Sequence, residues 1–126
     1  MTSLNLSQVL VTFVVFVTLD SIYLTSMKGY FDNQVKSVQG SIIQMNLLAA
    51  VLCYISLVFG VYYFIIREKK SLLQAFLLGL VIYTVYEFTT WALFKNWKLT
   101  TVVLDSLWGA TLFTLTTAIV YFIYGK

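Results

Sequence analysis

The chain has 126 residues, of which 60% are apolar, 17% aromatic and only 10% charged. A water-soluble domain of this size carries about a quarter charged residues, so the composition excludes one and makes lipid the solvent. Eight basic and five acidic side chains give a net +3, scattered along the chain rather than gathered into the basic face that nucleic-acid binding requires.

Histidine is absent. That removes the usual general base at neutral pH, the imidazole metal site and any Ser-His or Cys-His dyad. The one cysteine, Cys53, excludes an intrachain disulfide and a paired-cysteine zinc or redox motif, and reads as a small hydrophobe in a packed helix. Proline is also absent, so straight helices are expected and transporters built on proline-broken helices are a poor analogy.

A hydrocarbon core about 30 Å thick is crossed by about 20 apolar residues in a helix, and four stretches meet that length. In chain order they are residues 6–27, 42–66, 72–94 and 101–124. The connections are Lys28 to Ser41, the short run Arg67 to Ser71, and Lys95 to Thr100. Two tight turns force antiparallel neighbours, and backbone polarity in lipid must be closed within each segment. The expected fold is all-α: one domain, residues 1–126, forming an integral membrane four-helix antiparallel bundle.

The segment Met1 to Gln8 has no basic region and no small-residue cleavage site follows, so the first span is expected to stay. Four basic residues fall on each side of the membrane, and only the compact Arg67, Lys69 and Lys70 favour both termini in the cytoplasm. Tyr30, Trp91 and Trp97 are the aromatic anchors of one face, Tyr62, Tyr63, Tyr121 and Tyr124 those of the other. Lys28 to Gly40, with Tyr30, Phe31 and Val35, is either a lid along the interface or a plain solvated connector. The connector is the preferred reading.

Ionisable groups inside a span cost several kcal/mol by contested estimates and mark candidate sites. Asp20 lies seven residues from the end of the first span and Glu87 seven from the end of the third, roughly 10 Å below one face at about 1.5 Å per residue. Asp105 and Asn46 each lie four residues into their spans from that same face, roughly 6 Å deep. All four helices are thus expected to place one strongly polar side chain in a single leaflet.

Helical spacing adds partners. Tyr83, Glu87, Thr90 and Trp91 share a face of the third span, Thr101, Asp105, Trp108 and Gly109 share one of the fourth, and Asp20 stands beside Tyr23 at i+3. Tyr23, Tyr83, Tyr86 and Trp108 are the natural donors to the carboxyls. Asn46, Ala49, Ala50, Cys53 and Gly60 form a small-residue stripe that is expected to seat a neighbouring helix.

Three acids in one pocket cannot all be ionised cheaply. A held proton, a bound metal or organic cation, or Lys95 and Lys98 reaching in from the adjoining loop would compensate. Oxygen ligands suit H+, Mg2+ or Ca2+, and an acid-plus-aromatic box suits an ammonium headgroup.

These residues also form a pattern. Leu19-Asp20-x-x-Tyr23-Leu24, then Gly79-x-x-x-Tyr83-x-x-Tyr86-Glu87-x-Thr89-Thr90-x-Ala92, then Trp97 and Asp105-x-x-Trp108-Gly109 resemble the small bacterial four-span membrane proteins of domain-of-unknown-function family 2177. The resemblance covers nearly the whole chain. Where that family has Tyr-Asp-x-Thr-Asn-x-Ala, this chain has Glu87 in place of Asp and Thr90 in place of Asn, while Asp20, Asp105, Trp108 and Gly109 match directly. It implies the topology and the residues that matter, and supplies no activity or cofactor.

Three functions are compatible with the residues. The first is a polar pocket of Asp20, Tyr23, Asn46, Tyr83, Tyr86, Glu87, Thr90, Asp105 and Trp108 that binds or conducts a cation, a proton or a lipid headgroup, any continuous pore lying between copies in a homo-oligomer. The second is a structural or assembly protein whose acids only fix helix packing. The third, an intramembrane lipid-modifying enzyme, is disfavoured by the lack of histidine and of an Asp-x-x-x-Asp pair on one helix. The expected location is a membrane, either a bacterial inner membrane or a viral or host membrane, with the lipid bilayer as the partner.

Overall fold

A computed structural model describes residues 4–126, so the first three residues of the segment Met1 to Gln8 lie outside it. Five α-helices follow in order: α1 Leu6–Ser26, α2 Lys28–Gln39, α3 Leu47–Val61, α4 Leu72–Leu93 and α5 Leu99–Tyr124, with a π-helical turn Tyr62–Ile66 continuing α3. Four segments, Leu6–Ser26, Leu47–Ile66, Leu72–Leu93 and Leu99–Tyr124, are long and apolar enough to cross a membrane. The all-α membrane bundle therefore stands.

Local chemistry explains the helix starts. Asn5 accepts from the Gln8 amide, Asn46 from the Ala49 amide, and Ser71 forms a capping box with Gln74, each satisfying amides that a helix start leaves open. The second span consequently begins at Leu47 and not at residue 42. Ile42 and Ile43 are as apolar as a spanning helix, but the chain from 42 to 46 is not helical, and the Gln39 side-chain amide donates to the Ser41 and Ile42 carbonyls.

α5 is the central helix. It packs on α4, α1 and the π turn, while α3 and α4 touch only slightly. The α4–α5 approach is set by glycines: a Cβ on Gly79 would lie 2.5 Å from the Gly109 carbonyl oxygen, and one on Gly109 would lie 2.1 Å from the Tyr83 ring. The expected stripe on the second span is not the seam. Cys53 is exposed and nothing lies within 4 Å of a Cβ built on Gly60. Small residues allow close packing only where a neighbour meets them, and here α3 leans on α1 instead.

Beyond the acids, toward the termini, the bundle is filled by Phe16, Val58, Val61, Tyr62, Leu112 and Phe113. The second span is not α-helical to its end. The amides of Arg67 and Lys70 bond to the carbonyls of Tyr62 and Ile65 at 2.8 and 2.9 Å, five residues back. This wider turn brings Val61, Tyr62, Ile65, Ile66 and Arg67 all into buried positions. Tyr121 donates to the Lys70 carbonyl at 2.7 Å and so closes the exposed helix end.

The segment after α1 also departs from expectation. Lys28 to Gln39 is a helix docked on the bundle, not a solvated connector. Gln34, 4% exposed, is the staple: its amide donates to the Asn96 carbonyl at 2.8 Å, and its carbonyl accepts from the Lys98 amide at 3.1 Å and from the Thr101 hydroxyl. Tyr30 pairs with the Thr101 hydroxyl at 2.7 Å.

Gly79→Ala and Gly109→Ala should each destabilise the protein by about 1–3 kcal/mol, because the added methyl must push backbone or a packed ring aside. Gly60→Ala should cause no loss. Thermal unfolding in a fixed detergent checks the contrast, and equal effects at the three positions would refute it.

Candidate functional site

The acids lie at one level. Asp20 is six residues before the end of α1 at Ser26, Glu87 six before the end of α4 at Leu93, and Asp105 six after the start of α5 at Leu99. At about 1.5 Å per residue each is roughly 9 Å inside the same end of the bundle. Asp20 and Glu87 are 8% and 1% exposed, so both point inward rather than at lipid.

Asp20 is fully engaged. Trp108 Nε1 on α5 donates to its Oδ1 at 2.9 Å, and the Tyr54 hydroxyl on α3 donates to its Oδ2 at 2.5 Å. Three helices are thereby pinned to one carboxyl. Tyr23, three residues on, does not serve Asp20. Its ring stacks on Trp108, with centroids 4.5 Å apart and planes within 3°, and its hydroxyl reaches Asp105 Oδ1 at 3.4 Å. Phe31 of α2 packs on the other side of Tyr23 at 5.8 Å, so α2 covers this end of the network.

Glu87 accepts from Trp97 Nε1, in the α4–α5 connection, at 3.0 Å. Asp105 is the acid nearest to it in interaction, the two carboxyls being electrostatic neighbours. The donors to the three acids are neutral phenols and indoles. The ion pairs among the described residues are Lys28–Asp32 and Arg67–Glu68, so Lys95 and Lys98 do not reach in.

Other expected members fall elsewhere. Asn46 caps α3 at its exposed start and is not in the layer; its place is taken by Tyr54, seven residues into the true helix. Thr90 donates back to the Tyr86 carbonyl at 2.8 Å on its own helix. Tyr86 is 58% exposed and lines the outside of the bundle rather than the network. Tyr83 packs against Gly109 and Phe113. Nor do the three acids form one oxygen cage: among the described residues, no three His, Cys, Asp or Glu side chains converge to hold a metal ion. Asp20 is held apart by its two donors, leaving Glu87 and Asp105 as the pair.

Two participants escaped the sequence reading. Trp97, expected as an interfacial anchor, instead donates to Glu87, in keeping with its place in the family pattern. Tyr54 carried a signal only once the start of α3 was known.

Asp105 also borders open space. Because α3 and α4 touch only slightly, a cleft of about 320 Å³ lies between them, lined by Cys53, Leu57, Ile82, Tyr83, Tyr86 and Asp105. Its walls are apolar or aromatic, and Asp105 is its one charged lining residue.

The arrangement predicts that Asp20→Asn costs about 1 kcal/mol, since an amide can accept from only one of the two donors and opposes the other. Tyr54→Phe should cost a similar amount, and the double variant should cost less than the sum. A double-mutant cycle of thermal unfolding measures this; strict additivity would mean that the Tyr54–Asp20 bond contributes nothing.

The comparisons with known proteins agree with the fold. No curated protein and no solved structure matches the chain. A family model described as a predicted membrane protein matches residues 5–122. A match over nearly the whole chain, on a bundle with four membrane-capable helices, means that this protein belongs to the DUF2177 family of multi-pass integral membrane proteins.

Proposed function

We propose that the chain is a membrane binding protein in which Glu87 and Asp105 together hold a proton or an organic cation within one leaflet, with Asp20 as the clamp that keeps the helices in register. The observation that carries this reading is the neighbouring pair of carboxyls, supported by neutral donors alone, with one member opening on a cleft. Two neighbouring carboxylates repel each other in a medium of low dielectric. A proton or a single positive charge between them removes that cost.

A hard divalent ion held by two carboxyls completes its shell of six or more oxygens with water, and the apolar and aromatic walls beside Asp105 are poorly suited to holding that water. The packed apolar cluster of Phe16, Val58, Leu112 and Phe113 deeper in the bundle favours binding over conduction through a single copy. It leaves the side of the bundle as the way in.

A second reading, purely structural, draws on Asp20 and its two satisfied oxygens. The two readings divide the acids between them. Asp20 belongs to packing, while Glu87 and Asp105 form the site.

A hydrophobic carbodiimide, which reacts with carboxyls that hold a proton in apolar surroundings, tests the division. Mass spectrometry should find the modification on Asp105, reached through the cleft, and not on Asp20. Glu87→Gln should reduce it by removing the partner that shares the proton. No modification of Asp105, or equal modification of Asp20, would overturn the proposal.

A further inference from the structure

We infer that the cleft between α3 and α4 takes a single-chain amphiphile with a positively charged nitrogen headgroup, entering sideways from the bilayer. This rests on the reading of Glu87 and Asp105 just given and names its ligand class.

The cleft is the strongest such feature because its two halves have different chemistry. Leu57 and Ile82 offer hydrocarbon wall, while Tyr83, Tyr86 and Asp105 give a carboxyl among aromatic faces. A carboxyl with phenol rings beside it is the recognition chemistry of an alkylammonium group: one unit of negative charge, π faces that attract a cation, and no demand for a full oxygen shell. A neutral lipid headgroup would leave Asp105 without a counter-charge, and an anionic one would be repelled by it.

Size points the same way. Ligand pockets commonly span about 300–1,000 Å³, and a volume of about 320 Å³ is at the small end, room for a headgroup and the first part of one chain, the rest of the chain lying in the bilayer outside the cleft. The route is lateral because α3 and α4 are joined by the short turn at the opposite face and touch only slightly along their lengths. Tyr86, at 58% exposure, stands at the mouth. The other end of the acid network is closed by Trp97 on Glu87 and by Phe31 of α2 against Tyr23.

The chain carries its own reporter. Cys53 is its one cysteine, is exposed, and lines this cleft. The full chain in phosphatidylcholine nanodiscs is labelled with a membrane-soluble maleimide, and the rate is measured with dodecyltrimethylammonium, with dodecanol and with tetramethylammonium. At four times its Kd, dodecyltrimethylammonium should slow labelling about fivefold, because only the empty fraction reacts. Dodecanol has the tail without the charge and tetramethylammonium the charge without the tail, so both should be much weaker. Asp105→Asn should weaken protection by dodecyltrimethylammonium at least about tenfold, as expected for removal of one partner from a buried charge pair.

Equal protection by dodecanol, or protection unchanged in Asp105→Asn, would overturn the inference. The comparison of the three compounds on the unaltered chain decides the matter even if the variant does not fold. Absence of protection combined with carbodiimide modification of Asp105 would sink the ligand class and leave the carboxyl pair standing. Absence of both would sink the two readings together.

Discussion

The constraint on which this structure turns is that three carboxyls lie inside a bundle surrounded by hydrocarbon. A carboxyl facing lipid would cost several kcal/mol, so each must find donors within the protein. Those donors come from every spanning helix except α4, which contributes Glu87 itself, and from the α4–α5 connection. Tyr54 on α3 and Trp108 on α5 serve Asp20, Tyr23 on α1 serves Asp105, and Trp97 serves Glu87. Because there is little hydrophobic drive between helices already in lipid, polar contacts of this kind and the glycine-mediated approach of α4 to α5 set the relative positions of the spans. The use of phenol and indole donors in place of lysines has an electrostatic consequence as well. Among the described residues no basic side chain pairs with these carboxyls, and the proposed cation-binding role draws on that.

Much of the fold was legible in the sequence because the bilayer imposes a length on each span and a closed backbone on each segment. The apolar run 72–94 and the helix Leu72–Leu93 end within one residue of each other, and the burial of Asp20 and Glu87 is what the cost of a carboxyl in lipid demands. The start of the second span was not legible. Ile42, Ile43 and Met45 are as apolar as the helix that follows them, and hydropathy has no view of where the first hydrogen-bonded turn closes. That was decided by the Asn46 side chain capping the Ala49 amide. The five-residue difference changed the site as well as the boundary. Counted from residue 42, Asn46 falls in the polar layer; with the helix starting at Leu47, Asn46 lies outside it and Tyr54, seven residues in, reaches the level of the acids.

Other differences share a cause: tertiary contacts that a pattern along one segment does not encode. Lys28 to Gln39 has the polarity of a loop, and it becomes a docked helix because Gln34 finds three partners around Asn96, Lys98 and Thr101, far away in sequence. The π turn at Tyr62–Ile66 has no proline to announce it, and it is explained by the burial of both Tyr62 and Ile66 against the core. Tyr62 also accepts from the Asn5 amide and donates to Gln8, at 3.1 and 3.3 Å, so the turn ties the start of α1 to the far end of the second span.

These features together explain why the acids, though at one level, have different surroundings. Asp20 sits where α1, α3 and α5 meet, and its two oxygens are both engaged, so nothing further can approach it without breaking a helix contact. Asp105 sits beside the cleft where α3 and α4 touch only slightly. Its Tyr23 bond is long, its neighbour Glu87 carries the same charge, and the space on its open side is walled by apolar and aromatic groups. The close packing of Gly79 and Gly109 bears directly on this difference, since it commits α4 to α5 and leaves α3 to lean on α1. A bundle in which all four spans packed equally would have closed the cleft over Asp105, and with it the opening on which the proposed site depends.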